Sequence, residues 1–278
     1  MSNTSNTSRN PLFINTVLLG GSTEDKIAAA HAAGFDQVEL WQQDVDAEPG
    51  GAVPVRDTLR RNGVGLTDFQ VLLDFDGAPD RRREAKRAEA LRMLDTAVLV
   101  GASTLLTPAS TDPDCDPGRV VDDLRWLATE AHQRGLRIAY EGMAWSTINY
   151  TTPAAWHAVQ QADMANLGMV IDAFHIFVRG RDASDLDGIP MARIFLVQLS
   201  DLAHPLADLH DVKQIARHQR LLPGAGYFPV HTIIDRLKAG GYGGPVGLEV
   251  FNDAMKARDP RDVTREAMTA LHGVWAGQ

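Results

Sequence analysis

The chain has 278 residues, 44% of them hydrophobic, and a formal net charge of −9, enough for one large domain with a buried core, and closed barrels reach this length without splitting. That charge excludes a broad basic face for a phosphate backbone. One cysteine, Cys115, excludes an internal disulfide or a thiolate metal site and fits a reducing cytoplasm.

Residues 1–10, MSNTSNTSRN, have little to bury and lack the apolar stretch of a signal peptide. They are read as a disordered tail before a domain over 11–278. No run of about 18 apolar residues follows, so a cytoplasmic protein without membrane contact is expected. In chain order, short apolar, β-branched runs then alternate with stretches of helical periodicity, the pattern of βα units around a parallel sheet. Strands are expected over 13–19, 37–41, 65–71, 104–108, 137–142, 168–172, 194–200 and 246–251. Helices are expected over 23–33, 79–100 and 119–134, with Gly34, Gly63, Gly101, Gly135 and Gly240 placed as C-caps. Cys115 falls in the polar run 111–118 and reads as a loop residue.

Eight alternations predict an α/β fold, a single-domain (β/α)₈ TIM barrel. An open doubly wound sheet would show a glycine fingerprint after its first strand, and Gly20-Gly21-Ser22 lacks the G-x-G-x-x-G spacing. The longest insertion, 201–230, follows the seventh strand, where a βα loop lies on the active-site face.

In a barrel, side chains that act on a ligand stand at the C-terminal ends of strands. Four polar residues stand there: Glu141 ending RIAYE, Asp172 ending MVID, Gln198 in IFLVQLSD and Glu249 in PVGLEVF. A carboxylate flanked by aliphatic strand residues costs several kcal/mol unless it is paired or bound to a metal. Each acid taken alone also fits a structural ion pair at the rim. Together, on the fifth to eighth strands, they predict a site for one divalent cation, and their oxygens suit Mn²⁺, Mg²⁺ or Co²⁺, with Zn²⁺ also accommodated. His175 follows Asp172 by three residues and can shuttle a proton over the same mouth. A lone histidine between Phe174 and Ile176 otherwise reads as a packed or surface residue.

The long loop carries His210, Arg217, His218 and Arg220 before a Pro223-Gly224-Ala225-Gly226 turn. Such a turn can fold Arg220 over the site to clamp a carboxylate or an enolate oxygen. Arg217 and His218, taken singly, read as solvated surface. Glu39, Trp41, Asp68 and Gln70 alternate on the second and third strands, where they either line a pocket or fill barrel layers.

Over nearly its whole length the chain resembles the xylose-isomerase-like barrels, which include sugar isomerases and epimerases, inosose-processing enzymes, 3-dehydroshikimate dehydratases and endonuclease IV. The marks are YEGMAW, the D-x-x-H of DAFH, the polar residue on the seventh strand and the closing glutamate of LEVFND. TDFQVLLDFDGAP, IFLVQLSD, ARHQRLLPGAGYFPV and GPVGLEVFND are most similar to the bacterial dehydratase branch, as is glutamine at Gln198 where many isomerases present histidine. The chain departs from that branch at Leu73, where the resemblance implies an arginine.

The resemblance implies a metal-dependent lyase that dehydrates 3-dehydroshikimate to protocatechuate through an enolate, with His175, Arg220, Glu141 and Glu249 as catalytic residues. The alternative is a keto-sugar or keto-inositol isomerase or epimerase. An endonuclease-IV-like repair enzyme would need a histidine-rich metal cluster and a basic face, against a charge of −9. The expected partner is a small hydroxy-ketone or keto-sugar, not nucleic acid, and a homo-oligomer is left open.

Overall fold

The computed structural model describes residues 9–206 and 210–275. Eight parallel strands close in sequence order, the eighth paired to the first. They are β1 Leu12–Asn15, β2 Gln37–Trp41, β3 Gly65–Gln70, β4 Thr104–Pro108, β5 Arg137–Glu141, β6 Leu167–Asp172, β7 Ile194–Leu199 and β8 Val246–Leu248. The expected barrel is the observed fold.

Side chains alternate across a strand, so every second residue enters the barrel. Its apolar filling comes from Phe13, Leu106, Ala139, Val170, Phe195 and Leu196, the last two being consecutive because the β6–β7 register shifts between Met169 and Val170 and leaves Phe195 as an extra residue. Two glycines make room for the rings: a methyl group on Gly168 would meet Phe195 at 2.5 Å, and one on Gly247 would collide with Phe13. The same parity, followed towards the C-terminal ends, runs Ala139 to Glu141, Val170 to Asp172, Leu196 to Gln198 and Gly247 to Glu249. Apolar floor and polar mouth are thus successive turns of one alternation.

The opposite faces, including Ile14, Val38, Leu40, Ile138, Ile171 and Leu248, are buried under the helical layer. Each such aliphatic side chain contributes about 2 kcal/mol on burial. Helices Thr23–Ala33, Asp80–Val100 and Val120–Gln133 agree with expectation to within a residue at each end. Gly34, Gly63 and Gly101 end their helices in the left-handed conformation, with φ of 89°, 65° and 88°. Gly240 differs, because its φ is −78°; a Cβ there would meet only the flexible Met191 side chain, at 2.6 Å from its terminal methyl.

Three expectations need correction. β1 stops at Asn15, whose side chain accepts from Val17 N and starts a 3₁₀ turn over Thr16–Leu18. A continuous apolar run shows burial but not backbone conformation. β8 ends at Leu248, which leaves Glu249 just beyond the strand. The long loop after β7 carries a helix of its own, Val212–His218.

Of the expected tail, residues 1–8 lie outside the described residues, while Arg9 bonds to Asp36 and Asn10 Nδ2 donates to the carbonyls of Tyr242 and Gly244. No helix among the described residues is long and apolar enough to cross a membrane.

Candidate active site at the barrel mouth

A cavity of about 440 Å³ opens at the C-terminal end of the barrel, lined among others by Trp41, Gln70, Leu73, Glu141, His175 and Glu249. That size suits a small organic ligand. Arg220 also lines it. Asp172 and Gln198 do not, and lie buried beneath it.

Glu141, Asp172 and His175 come together: one ligand-type atom from each lies within 4.8 Å of the others. His175 Nε2 is 3.5 Å from Glu141 Oε1 and 3.4 Å from Asp172 Oδ2. Its other nitrogen, Nδ1, accepts from the backbone N–H of Ala144 at 3.2 Å. A neutral imidazole with Nδ1 accepting carries its proton on Nε2. His175 therefore presents a donor to the carboxylates, and a lone pair for a cation is missing from the nitrogen that faces them. Burial pushes its pKa down to about 3, which keeps the ring neutral. Trp145 packs edge-on against it, with ring centroids 4.9 Å apart.

Arg220 is 1% exposed. Its Nη1 donates to Asp172 Oδ2 at 2.7 Å and lies 3.4 Å from Glu249 Oε2, while Nε donates to the Ala216 carbonyl. The guanidinium also stands over the Phe174 ring at 4.3 Å. The loop carries it inward by two antiparallel bridges, Asp201 with Leu221 and Gln219 with Asn252. Asp201 gathers the following turn, accepting from the N–H groups of Gly224, Gly226 and Phe228. The expected fold-back is present, but Nη1 is spent on the carboxylates. Arg217 and His218 line the pocket, and His218 pairs with Asp253.

Glu249 Oε1 accepts from Asn15 Nδ2 at 3.1 Å, and Trp41 Nε1 donates to Asn15 Oδ1. Asn15, absent from the sequence reading, closes β1 just where it faces Glu249, and only the closure of β8 on β1 shows this. Gln198 Nε2 donates to Glu39 Oε1 at 2.9 Å. Glu39 and Asp68, register partners on β2 and β3, fill the barrel interior, whereas Trp41 and Gln70 line the pocket.

The electrostatics call for positive charge. Burial, then the charges of Glu249 and Asp172, raise Glu141 well above the usual carboxylate range. Burial raises Glu249 to about 8 and Asp68 to about 7. Glu141 Oε1 and Gln198 Oε1 are buried and form no hydrogen bond, His175 Nε2 standing too far and out of line at 3.5 Å from the former. An orphaned buried oxygen costs about 1–3 kcal/mol. Of the four expected oxygens, the structure brings those of Glu141 and Asp172 together, with His175, in a group that could hold a metal ion.

The xylose isomerase-like TIM barrel family profile matches residues 27–272. A 3-dehydroshikimate dehydratase of Pseudomonas aeruginosa is 38% identical over 262 residues, covering 93% of this chain and 40% of that protein. A solved xylose isomerase-like TIM barrel/4-hydroxyphenylpyruvate dioxygenase fusion protein superposes with a TM-score of 0.91 at 34% identity, covering 96% of this chain and 43% of that one. The chain spans about two fifths of the length of each of these two. The fold also matches the IOLI protein, solved with a binding zinc atom, at a TM-score of 0.84 and 19% identity, over 96% of this chain and 98% of that one.

Proposed function

We propose that this chain, which belongs to the xylose isomerase-like TIM barrel family, is a divalent-cation-dependent lyase that dehydrates 3-dehydroshikimate to protocatechuate. The observation that carries this reading is the pair of buried oxygens that form no hydrogen bond, Glu141 Oε1 and Gln198 Oε1, near Asp172 and Glu249 at the C-terminal end of the barrel. Similarity to the Pseudomonas dehydratase supports the choice of substrate.

Glu141, Asp172, Gln198 and Glu249 hold the cation, of which Mn²⁺, Mg²⁺ and Co²⁺ suit an all-oxygen set and Zn²⁺ remains compatible. When bound, it supplies Lewis acidity to the ketone and the neighbouring hydroxyl oxygen of the substrate.

The chain's own groups do the rest. The carbon acid lies between the carbonyl and the carbon bearing the leaving hydroxyl. One of the two glutamates, Glu141 or Glu249, takes its proton. His175 offers Nε2–H to the developing oxyanion as a neutral donor. The leaving hydroxyl departs with a proton as water, and a ring CH₂ proton then moves to the ketone oxygen, giving the aromatic catechol with no change of electron count. Arg220 holds Asp172 and Glu249 in place and keeps positive charge beside the anionic intermediate.

Leu73 lines the pocket where the dehydratase resemblance implies an arginine, and this favours a second reading, a keto-sugar or keto-inositol isomerase using the same site. An assay of purified protein with 3-dehydroshikimate and Mn²⁺, Mg²⁺ or Co²⁺ separates the two. Cation-dependent appearance of the aromatic absorbance supports the dehydratase. Cation-dependent turnover of a keto-sugar or keto-inositol, with no aromatic product, assigns the isomerase.

A further inference from the structure

Glu39 is fully buried on β2 and is not among the residues that line the mouth cavity. Its carboxyl reaches Gln198 across the barrel interior, from β2 to β7, two strands that are not neighbours in the sheet. Gln198 Nε2 donates to Glu39 Oε1 at 2.9 Å, and both side chains have zero exposure.

A glutamine amide has two ends, and only its oxygen can hold a cation. The two flips occupy the same space, so packing alone does not choose between them. A carboxyl oxygen beneath the amide does choose. With Nε2 down, one buried hydrogen bond forms; with Oε1 down, two oxygens face each other and the bond is lost. Keeping that buried hydrogen bond is a preference of up to about tenfold for one flip. The consequence is visible in Gln198 Oε1, which is left buried with no donor among the described residues.

We infer that Glu39 is a positioning residue that fixes the Gln198 amide with its oxygen free for a divalent cation. The inference rests on the cation site under Proposed function and extends it to a residue that touches neither cation nor substrate. It also gives a reason for glutamine at this strand position: a neutral amide can donate downward and coordinate with its other end, which a carboxylate at 198 facing Glu39 could not do.

The test is calorimetric titration of Mn²⁺ into the parent, Glu39→Gln, Glu39→Met, Gln198→Ala and the Glu39→Met/Gln198→Ala double variant, each checked for native circular dichroism. Glu39→Gln can present either end of its amide and so keeps a bond to Gln198 without choosing its flip; its Mn²⁺ affinity should fall between those of the parent and Glu39→Met. Glu39→Met has similar bulk but no acceptor, and its Kd should rise about tenfold or more, the usual cost of losing a group that orients a ligand. Gln198→Ala removes a neutral ligand and keeps all three carboxylates, so a weakened but measurable Mn²⁺ affinity should remain, and in that background the Glu39→Met change should add nothing, because its effect passes through the absent amide. A Glu39→Met variant that binds Mn²⁺ like a binding-competent parent, or one whose loss is undiminished without Gln198, overturns this inference alone. A parent that takes up no Mn²⁺ overturns the cation reading and this inference together.

Discussion

Arg220 donates from Nη1 to Asp172 Oδ2 across 2.7 Å, with both side chains sealed from solvent. Breaking a buried pair by removing one partner typically costs about 3–5 kcal/mol, because the remaining charge is left uncompensated. Arg220→Ala should therefore lower stability by an amount of that order in urea melts without added metal. Arg220→Lys keeps the charge but not the fork that reaches both Ala216 O and Asp172, so kcat should fall. Parent-like kcat in the lysine variant would return Arg220 to a purely structural part.

Glu249 and His175 should separate by readout. Glu249→Ala removes one of four oxygens from the proposed cation site and should abolish Mn²⁺ binding in calorimetry while the barrel keeps its circular dichroism; Glu141→Ala should do the same. His175→Asn should keep Mn²⁺ affinity near the parent value and lower kcat about 100-fold, because its Nδ1 is committed to Ala144 and its Nε2 carries the proton. A parallel loss of metal affinity in the histidine variant would make His175 a ligand.

At Leu73 the pocket presents a leucine on its wall, so a substrate carboxylate gains no guanidinium there. If 3-dehydroshikimate is the substrate, Leu73→Arg should lower KM about tenfold, the worth of a charge-assisted hydrogen bond, with kcat little changed. A remote contact that binds ground and transition states alike moves KM first. A kcat effect larger than the KM effect would argue against this assignment.

Asp76 gives a pH signature away from the mouth. It is buried and accepts from Tyr140 Oη at 2.6 Å. Burial raises its pKa to about 7, with the Tyr140 bond opposing the shift, against about 3.9 for the free side chain. The folded state thus holds the proton more tightly than the unfolded chain does. Its contribution to stability is complete below about pH 4 and is lost as pH rises through about 7. Asp76→Asn keeps an acceptor for Tyr140 and removes the titration. Its stability relative to the parent should climb between pH 4 and pH 8 in urea melts, and a constant difference across that range would refute the shift.

The barrel was legible because alternation and helical periodicity are local: Gly34 and Gly101 mark helix ends, and the strand parity that buries Ala139 and Val170 also turns Glu141 and Asp172 inward. The four strand-end oxygens could be named from that parity together with the family motifs. Height inside the barrel could not. Glu39 shares an inward face with Trp41, yet one lies in the interior under Gln198 and the other lines the pocket, because depth is set by the stagger of neighbouring strands, a property of the closed sheet. The same holds for the donors that complete the site. Asn15 meets Glu249 only because β8 closes on β1, and Ala144 meets His175 through a loop. Arg220 turns inward through bridges to residues 19 or more positions away in the chain, too far along it for local periodicity to encode, and packing of the closed barrel alone brings them together.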